Sequence, residues 1–148
     1  MTPRWALPEE APRLAEIARA AYAPYVPLIG REPPPMLQDF PADIAAGHVL
    51  VMGRPAQGYA VSRAVPQGWL LENVAVAPDA QGSGIGRALI AAVENLARKA
   101  GQTRVVLYTN AAMTGNLALY PALGYREVER RSEHGLNRVY FEKDLAEP

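Results

Sequence analysis

The chain has 148 residues, a length typical of one domain, and its 15 basic and 15 acidic residues cancel to a formal net charge of zero. This balance argues against nucleic acid or an anionic membrane as the main partner. Cysteine is absent, which excludes disulfides, thiolate metal sites and a cysteine nucleophile, and which fits a reducing cytoplasm as the expected location. No apolar run reaches the roughly 18 residues of a membrane-spanning helix, and no secretory signal pattern is present, so we expect a soluble, unexported protein.

The first third of the chain predicts a short strand, a helix and a proline-rich loop. The strand is expected near Trp5 and Leu7. In residues 8–22, apolar side chains recur at the spacing of one buried helix face, with two glutamates in the first turn. Residues 24–41 contain six prolines, but only 23 residues precede them, too few for a core. We therefore interpret this stretch as an ordered loop, with a short helix after Pro41, rather than as a linker.

The rest of the chain alternates strands and helices. Residues 84–101 predict an amphipathic helix that ends at Gly101, and residues 104–110 predict a buried strand. Because a helix joins this strand to the preceding one, the two are expected to be parallel neighbours. A short helix before Gly124 and a final hairpin follow. An antiparallel meander is predicted earlier by three short segments at residues 48–52, 58–63 and 69–77.

Three glycines fall within five residues where the last meander strand meets the long helix, in the string QGSGIG at residues 81–86. The first N–H groups of a helix lack internal partners and carry partial positive charge, so they bind phosphate well. Glycine also lets the backbone touch a ligand and adopt positive φ. The string fits neither the P-loop nor the Rossmann fingerprint, which disfavours another nucleotide-binding fold. The alternative to an anion-binding turn is a turn that uses glycine only for tight packing.

Two separate stretches resemble the GCN5-related N-acetyltransferase (GNAT) family. LENVAVAPDAQGSGIGRAL, residues 71–89, resembles the family's central motif, which includes the pyrophosphate signature Q/R-x-x-G-x-G/A. NLALYPALGY, residues 116–125, resembles the following motif, usually met as LYxxxGF. The order of elements is also similar to the family's, although the N-terminal third, which normally shapes the acceptor site, matches only in outline.

The resemblance implies a fold and a cosubstrate. The fold is one domain over residues 1–148, in three layers, with a mixed seven-stranded α/β sheet whose central parallel strands splay apart and with helices on both faces. The cosubstrate is acetyl-CoA, whose pantetheine arm would meet backbone groups of Val74, Ala75 and Val76. Its pyrophosphate would bind Gln81, Gly82, Ser83, Gly84, Ile85, Gly86 and Arg87. For Arg87 the alternative is a solvated helix charge.

The resemblance also implies that Tyr120 is the general acid. The departing thiolate needs a proton, and a phenol with a pKa of about 10 is protonated at neutral pH. The alternative is a core tyrosine with a satisfied hydroxyl. Asn116, one helical turn earlier, is expected beside the cofactor. Many members instead carry asparagine seven residues before the tyrosine, where this chain has Met113. Asn110 is a further polar candidate, with a helix cap as its alternative.

A base is also needed, because an alkyl amine with a pKa of about 10.4 loses its proton at pH 7 only at a cost of about 4–5 kcal/mol. Glu72 is the candidate base or substrate contact, since a charge within an apolar strand is costly without a purpose. Its alternatives are an outward-facing residue or a structural ion pair. The acceptor site is expected from the first helix and the proline-rich loop, at Tyr22, Tyr25, Met36 and Asp39, although each of these could serve packing alone.

The sequence therefore predicts a cytoplasmic N-acetyltransferase that uses acetyl-CoA and a small-molecule or peptide amine. Two alternatives stay open: a non-catalytic acyl-CoA-binding module on the same fold, and a transferase for another acyl donor. The charge balance leads us to expect no nucleic acid or membrane partner. We also expect no metal, because no metal-ligating residues stand at the spacing of a metal site around His48 or His134. The last hairpin could pair with a second copy, so a homodimer is the expected assembly.

Overall fold

A computed structural model describes residues 1–145. The strands are β1 (Arg4–Trp5), β2 (Val49–Met52), β3 (Gly58–Val65), β4 (Gly68–Val76), β5 (Arg104–Asn110), β6 (Arg126–Glu133) and β7 (Leu136–Asp144). The helices are α1 (Ala11–Tyr22), α2 (Val26–Ile29), α3 (Phe40–Ala45), α4 (Ile85–Lys99) and α5 (Thr114–Ala122). The strands form one seven-stranded sheet in the order β1-β2-β3-β4-β5-β7-β6. The predicted mixed α/β fold with a seven-stranded sheet is thereby confirmed.

The proline-rich stretch, residues 24–41, is built from short helical pieces. It contains α2 and two 3-10 turns, Ala23–Tyr25 at its start and Pro34–Leu37, and α3 begins at Phe40, one residue before Pro41, after which the helix was predicted. Proline fixes φ near the helical value and has no N–H to lose, so it is tolerated in first turns, and each of these pieces carries a proline there. Over residues 1–145, no helix has the length and apolar character that crossing a membrane requires.

The chain divides into two compact units. The first consists of Met1–Arg63 with Leu71–Val93, and the second consists of Ala64–Leu70 with the residues from Glu94 onward. The first unit therefore holds β1, β2, most of β3 and β4, and the first part of α4. The second holds β5, α5 and the hairpin of β6 and β7. The prediction that residues 1–148 act as one domain stays a prediction.

In the first unit, α1 supplies the core with one apolar face. Leu14, Ile17 and Ala18 are fully buried, as their helical spacing predicts. All four residues of β2 are buried, and β2 pairs antiparallel with β1 and with β3. Phe40 meets the ring of Tyr59 edge to face at 4.9 Å between centroids. This core fixes the end of the proline-rich stretch against the strand that precedes β4.

In the second unit, β4 and β5 are parallel neighbours, as predicted, and pair at Trp69↔Val105 and Leu70↔Val106. The strands approach closely at Gly68, where an added Cβ would lie 2.6 Å from the carbonyl oxygen of Arg104 and where φ is +145°. Only glycine fits such a contact. β7 then pairs antiparallel with both β5 and β6, which confirms the final hairpin.

Candidate active site

The glycine turn lies between β4 and α4, in the first unit. Gly82 and Gly84 have φ values of +82° and +88°, which side chains other than glycine rarely adopt. Residues 81–84 are exposed, and the backbone carbonyl of Gly84 accepts the first hydrogen bond of α4 from Ala88. The N–H groups at the start of α4 have no partner within the helix. The turn therefore presents bare backbone donors at the positive end of a 15-residue helix.

Tight packing does not explain the first two glycines of the turn. A Cβ added at Gly82 or Gly84 would meet no other atom within 4 Å. At Gly86 an added Cβ would lie 3.6 Å from Cγ2 of Val76, an ordinary contact. Ile85, by contrast, is buried, so its part in an anion site is limited to its N–H group. The geometry fits an anion that approaches the backbone closely, while Arg87 is exposed beside it.

Three residues of β4, Val74, Ala75 and Val76, were predicted to offer backbone groups to the donor. The structure leaves two of them, Val74 and Val76, with backbone groups that point away from β3, whereas the backbone of Ala75 faces β3. The N–H group of Ala77 donates to the carbonyl of Gln57, and the carbonyl of Ala75 lies close to Gly58, so both residues face β3. Because backbone groups alternate along a strand, those of Val74 and Val76 face the opposite edge. The Val74 carbonyl accepts from the Tyr22 hydroxyl at 3.0 Å, and the Val76 carbonyl accepts from Gln81 Nε2 at 3.2 Å.

Glu72 lies on β4 between two donors. Its carboxylate accepts a hydrogen bond from Gln38 Nε2 and forms an ion pair with Arg63 at 2.8 Å. About 20% of the Glu72 side chain is exposed, so the carboxylate is reachable from solvent. Gln38 Nε2 also donates to Asp43 at 2.7 Å, which ties α3 to the same amide. The structural ion pair foreseen as an alternative is thus present, and it leaves part of the carboxylate accessible.

The residue next to Glu72, Asn73, is the centre of a buried polar group that we call the Asn73 cluster: Tyr22, Gln38, Tyr59 and Asn73. The Asn73 Oδ1 atom accepts from the hydroxyls of Tyr22 at 3.0 Å and Tyr59 at 2.9 Å. Its Nδ2 atom donates to Gln38 Oε1 and to the backbone carbonyl of Pro35, each at 3.1 Å. Every polar atom of the Asn73 side chain is therefore satisfied, and α1, the proline-rich stretch and β3 all attach to β4 through it.

The predicted acceptor residues differ in what they do. Tyr22 belongs to the Asn73 cluster. Tyr25 and Met36 lie half-buried in short 3-10 turns of the proline-rich stretch. Asp39 is exposed and caps α3, because its Oδ1 accepts from the N–H of Ala42 at 3.1 Å. For Asp39 the local role is thus a helix cap.

The second unit holds Tyr120, on α5. Tyr120 is 4% exposed, and its ring packs against Tyr125 and Phe141 with centroids 5.6 and 5.8 Å away. Burial raises the pKa of the Tyr120 phenol above its ordinary value. Within the described part of this unit no group hydrogen-bonds to the Tyr120 hydroxyl, so its proton is not committed to a neighbour there.

Asn116 and Asn110 lie near the same helix. Asn116 Nδ2 donates to Thr109 Oγ1 at 3.1 Å, which anchors α5 to β5. Asn110 Oδ1 accepts from the N–H of Ala112 at 2.9 Å in the turn that leads to α5. This is a local turn contact and not a helix cap, because α5 begins at Thr114 and its N-cap residue is Met113. Among residues 1–145, no group of three or more histidine or carboxylate side chains is arranged to hold a metal ion.

Sequence reasoning missed three residues around Glu72. Asn73 carried the same signal as Glu72, a polar residue inside an apolar strand, and a complete reading of that signal would have found it. Gln38 and Arg63 carried no signal, because their partners lie 34 and 9 positions away and depend on the tertiary fold.

The chain is similar in sequence to known acetyltransferases. The sequence pattern that describes the acetyltransferase (GNAT) family matches residues 13–125. A mycothiol acetyltransferase from Kocuria rhizophila is 46% identical over 52 residues, which cover 35% of this chain. The matched segment spans only 17% of that relative's length.

Solved structures share the fold. A PaiA N-acetyltransferase from Thermoplasma acidophilum, in complex with coenzyme A, aligns with a TM-score of 0.77 at 18% identity, over 97% of this chain and 98% of its own. The ribosomal-protein-S18-alanine N-acetyltransferase from Escherichia coli aligns with a TM-score of 0.72 at 20% identity, over 99% and 95%. At such identities the likeness concerns the fold alone.

Proposed function

The chain belongs to the acetyltransferase (GNAT) family, and from this premise we propose that it transfers the acetyl group of acetyl-CoA to a primary amine of a small molecule or peptide. The observation that carries the proposal is the glycine turn. Gly82 and Gly84 have positive φ and open space where a side chain would stand, at the N-terminus of α4. This is the geometry expected of a backbone that binds a pyrophosphate.

In this proposal the donor is held mainly by backbone groups. The N–H groups of Gly82–Arg87 bind the pyrophosphate, and Val74 and Val76, whose carbonyls already accept from Tyr22 and Gln81, offer their N–H groups to the pantetheine arm. Because these contacts involve the main chain, the site depends on conformation more than on side-chain identity. Gln81 supports it from within, since its amide donates to the Val76 carbonyl and so links the turn to the strand.

The chemical step needs one proton donor and one proton acceptor. The amine nitrogen attacks the thioester carbonyl carbon, the carbon–sulfur bond breaks, and the departing thiolate takes a proton. We assign Tyr120 as the source of that proton, since a phenol is protonated at neutral pH and no group in the described part of its unit accepts that proton. We assign Glu72 as the acceptor of the amine proton, directly or through water, because its partly exposed carboxylate is held in place by Arg63 and Gln38.

Calorimetric titration with acetyl-CoA and desulfo-CoA tests the donor. We expect both to bind with micromolar affinity, since they share the pyrophosphate. Release of free thiol from acetyl-CoA, followed across a panel of primary amines, then tests transfer. Binding without amine-dependent release would favour the non-catalytic acyl-CoA-binding module, and preference for a longer acyl chain would favour another donor. Failure of every CoA species to bind would overturn the proposal.

The assignment of Tyr120 has its own test. Tyr120→Phe should lower turnover by about 10²–10⁴-fold with little change in acetyl-CoA affinity. Tyr125→Phe is the matched control, because it removes a hydroxyl from the ring that packs against Tyr120. Equal turnover in the Tyr120 variant and the wild type would remove Tyr120 from the mechanism.

A further inference from the structure

The second unit contains a cavity of about 310 Å³ where β5 ends and the hairpin of β6 and β7 passes beside it. Arg130, Arg131 and Arg138 line it, together with Ser132 and Asn137. None of the carboxylates among residues 1–145 belongs to its lining. The wall is thus built of guanidinium, hydroxyl and amide groups, which is the chemistry that recognises an oxyanion.

Two of these arginines are held in place by an aromatic floor. The guanidinium carbon of Arg138 lies 4.5 Å from the centre of the Tyr108 ring, and that of Arg131 lies 4.6 Å from the centre of the Tyr140 ring. The two rings are themselves 5.5 Å apart. Two cations are therefore fixed side by side on adjacent strands, each stabilised by a ring face.

Each of the three arginines also has a carboxylate partner: Arg130 pairs with Glu127 at 2.9 Å, Arg131 pairs with Glu129 at 2.7 Å, and Arg131 and Arg138 share Glu133. The Glu133 carboxylate contacts Arg131 and Arg138, each at 3.2 Å, and accepts from the Tyr140 hydroxyl at 2.6 Å. A guanidinium has five N–H donors, and the side chain of Arg138 hydrogen-bonds to Glu133 at 3.2 Å and also to the Tyr140 hydroxyl. Donors therefore remain for a ligand. Arg138 is also well ordered by burial, with only 14% of its side chain exposed.

The position of the cavity connects it to the proposed reaction. Ala111, which lines it, directly follows β5, and ligands of open α/β sheets bind beyond the carboxyl ends of parallel strands. Val139, also in the lining, pairs with Thr109, whose hydroxyl oxygen accepts from Asn116 of α5. Tyr120 lies one helical turn beyond Asn116 on the same helix. The cavity and the proposed acid thus lie in the same unit, near the end of β5.

We propose that this cavity binds an oxyanion, a carboxylate or a phosphate, carried by the acceptor amine. The acceptor would then be an amino acid, a peptide with a free carboxyl group nearby, or a phosphorylated amine, rather than a simple alkylamine. This inference rests on the proposed function, because it assigns the anion to the acceptor of that reaction. The fork of a guanidinium matches either oxyanion through paired hydrogen bonds.

Binding is tested first without turnover. In protein labelled with ¹⁵N-arginine, the side-chain resonances of Arg131 and Arg138 are followed while N-acetylglycine, N-acetylglycinamide or inorganic phosphate is added. We expect N-acetylglycine, phosphate or both to shift these resonances, and the amide to leave them unchanged. A shift caused by N-acetylglycine identifies a carboxylate site, and a shift caused by phosphate identifies a phosphate site. No shift from either anion at about 10 mM would overturn the proposal, as would displacement of a bound anion by acetyl-CoA, which would assign the cavity to the donor.

Turnover is tested with matched amines: a short peptide with a free or an amidated C-terminus, and serine with or without a phosphate. The anionic member of at least one pair should have a KM about 10- to 100-fold lower. Arg138→Gln and Arg131→Gln should abolish the difference, and Arg138→Lys should restore part of it.

Arg126→Gln is the control, because Arg126 lies on the same hairpin and pairs with carboxylates but does not line the cavity. It should keep the full preference. Equal KM values within both pairs of the wild type would overturn the proposal. If no amine supports thiol release at all, the proposed function fails, while the resonance titration still decides whether the cavity binds an anion.

Discussion

The Asn73 cluster is centred on β4, and the glycine turn follows the end of the same strand. The two are built on opposite principles. The turn is exposed and offers backbone groups, and the absence of side chains is what it requires. The cluster is buried, and every polar atom of the Asn73 side chain has a named partner. The difference teaches that the turn depends on bare backbone at Gly82 and Gly84, whereas the fully hydrogen-bonded cluster tolerates no loss of a side chain.

The largest effect is expected inside the cluster. Asn73→Ala would leave the buried Tyr59 hydroxyl and the partly buried Pro35 carbonyl without their partner and should lower the free energy of unfolding by roughly 3 to 4 kcal/mol. Urea denaturation measures this. Asn95→Ala, on an exposed position of α4, is the control and should change stability by about 0.5 kcal/mol or less. An Asn73→Ala variant as stable as the wild type would show that the hydrogen bonds of the cluster do not stabilise the fold, and the contrast with the turn would then fail.

The next effect is expected at the turn and concerns binding rather than stability. Gly84→Glu places a carboxylate where the pyrophosphate is proposed to bind and should weaken acetyl-CoA binding by about 100-fold or more in calorimetry. Gly84→Gln carries the same strain at positive φ without the charge, and so separates the two causes.

Gly86→Ala sharpens this prediction. Its Cβ would make only an ordinary contact with Val76, so acetyl-CoA should bind as in the wild type. Equal weakening by Gly84→Glu and Gly86→Ala would show that glycine acts through packing after all.

A smaller effect is expected where the cluster meets Glu72. Gln38→Ala removes one of the donors that hold the Glu72 carboxylate and should lower kcat by about 10-fold, with the KM for acetyl-CoA unchanged. Gln38→Glu would set a third carboxylate between Glu72 and Asp43, which favours proton uptake and should move the acid limb of the pH–rate profile upward. Gln102→Ala, just beyond α4, is the control. An unchanged profile in the Gln38→Glu variant would exclude Glu72 as the base.

The smallest effect concerns alkaline pH. Burial raises the pKa of the Tyr59, Tyr120 and Tyr125 phenols. Below about pH 10 these phenols are protonated in both the folded and the unfolded chain, so their contribution to stability is fully present. Above that pH the unfolded chain loses protons that the folded chain keeps, so the free energy of unfolding falls as pH rises. Thermal melts between pH 9 and 11 should show this decline, with a shallower slope in Tyr59→Phe.

Patterns local in sequence predicted most of the fold. The apolar spacing of α1 and α4, the alternation of the strands and the glycines of the turn each act over a few residues, so they could be interpreted without a structure. A short motif also pointed to Tyr120, whose role in the reaction stays a prediction.

What could not be predicted depends on distant residues. The contacts of Asn73 with Tyr22 and Gln38 join positions 51 and 35 residues apart, and the arginine-lined cavity forms only when the final hairpin passes the end of β5. In the sequence, Arg130, Arg131 and Arg138 are ordinary charges on a hairpin. Arg131 and Arg138 are cross-strand partners, so their side chains lie on the same face of the hairpin, each over a tyrosine ring.

The close approach at Gly68 has a consequence for anyone who maps this protein by mutation. Any side chain there would collide with the carbonyl oxygen of Arg104, so nearly all substitutions at this position should reduce the amount of folded protein. A saturation screen scored only by activity would therefore place Gly68 among the most sensitive positions, beside the residues that act in the reaction. Scoring abundance and specific activity separately would distinguish a position that shapes the chain from one that performs chemistry.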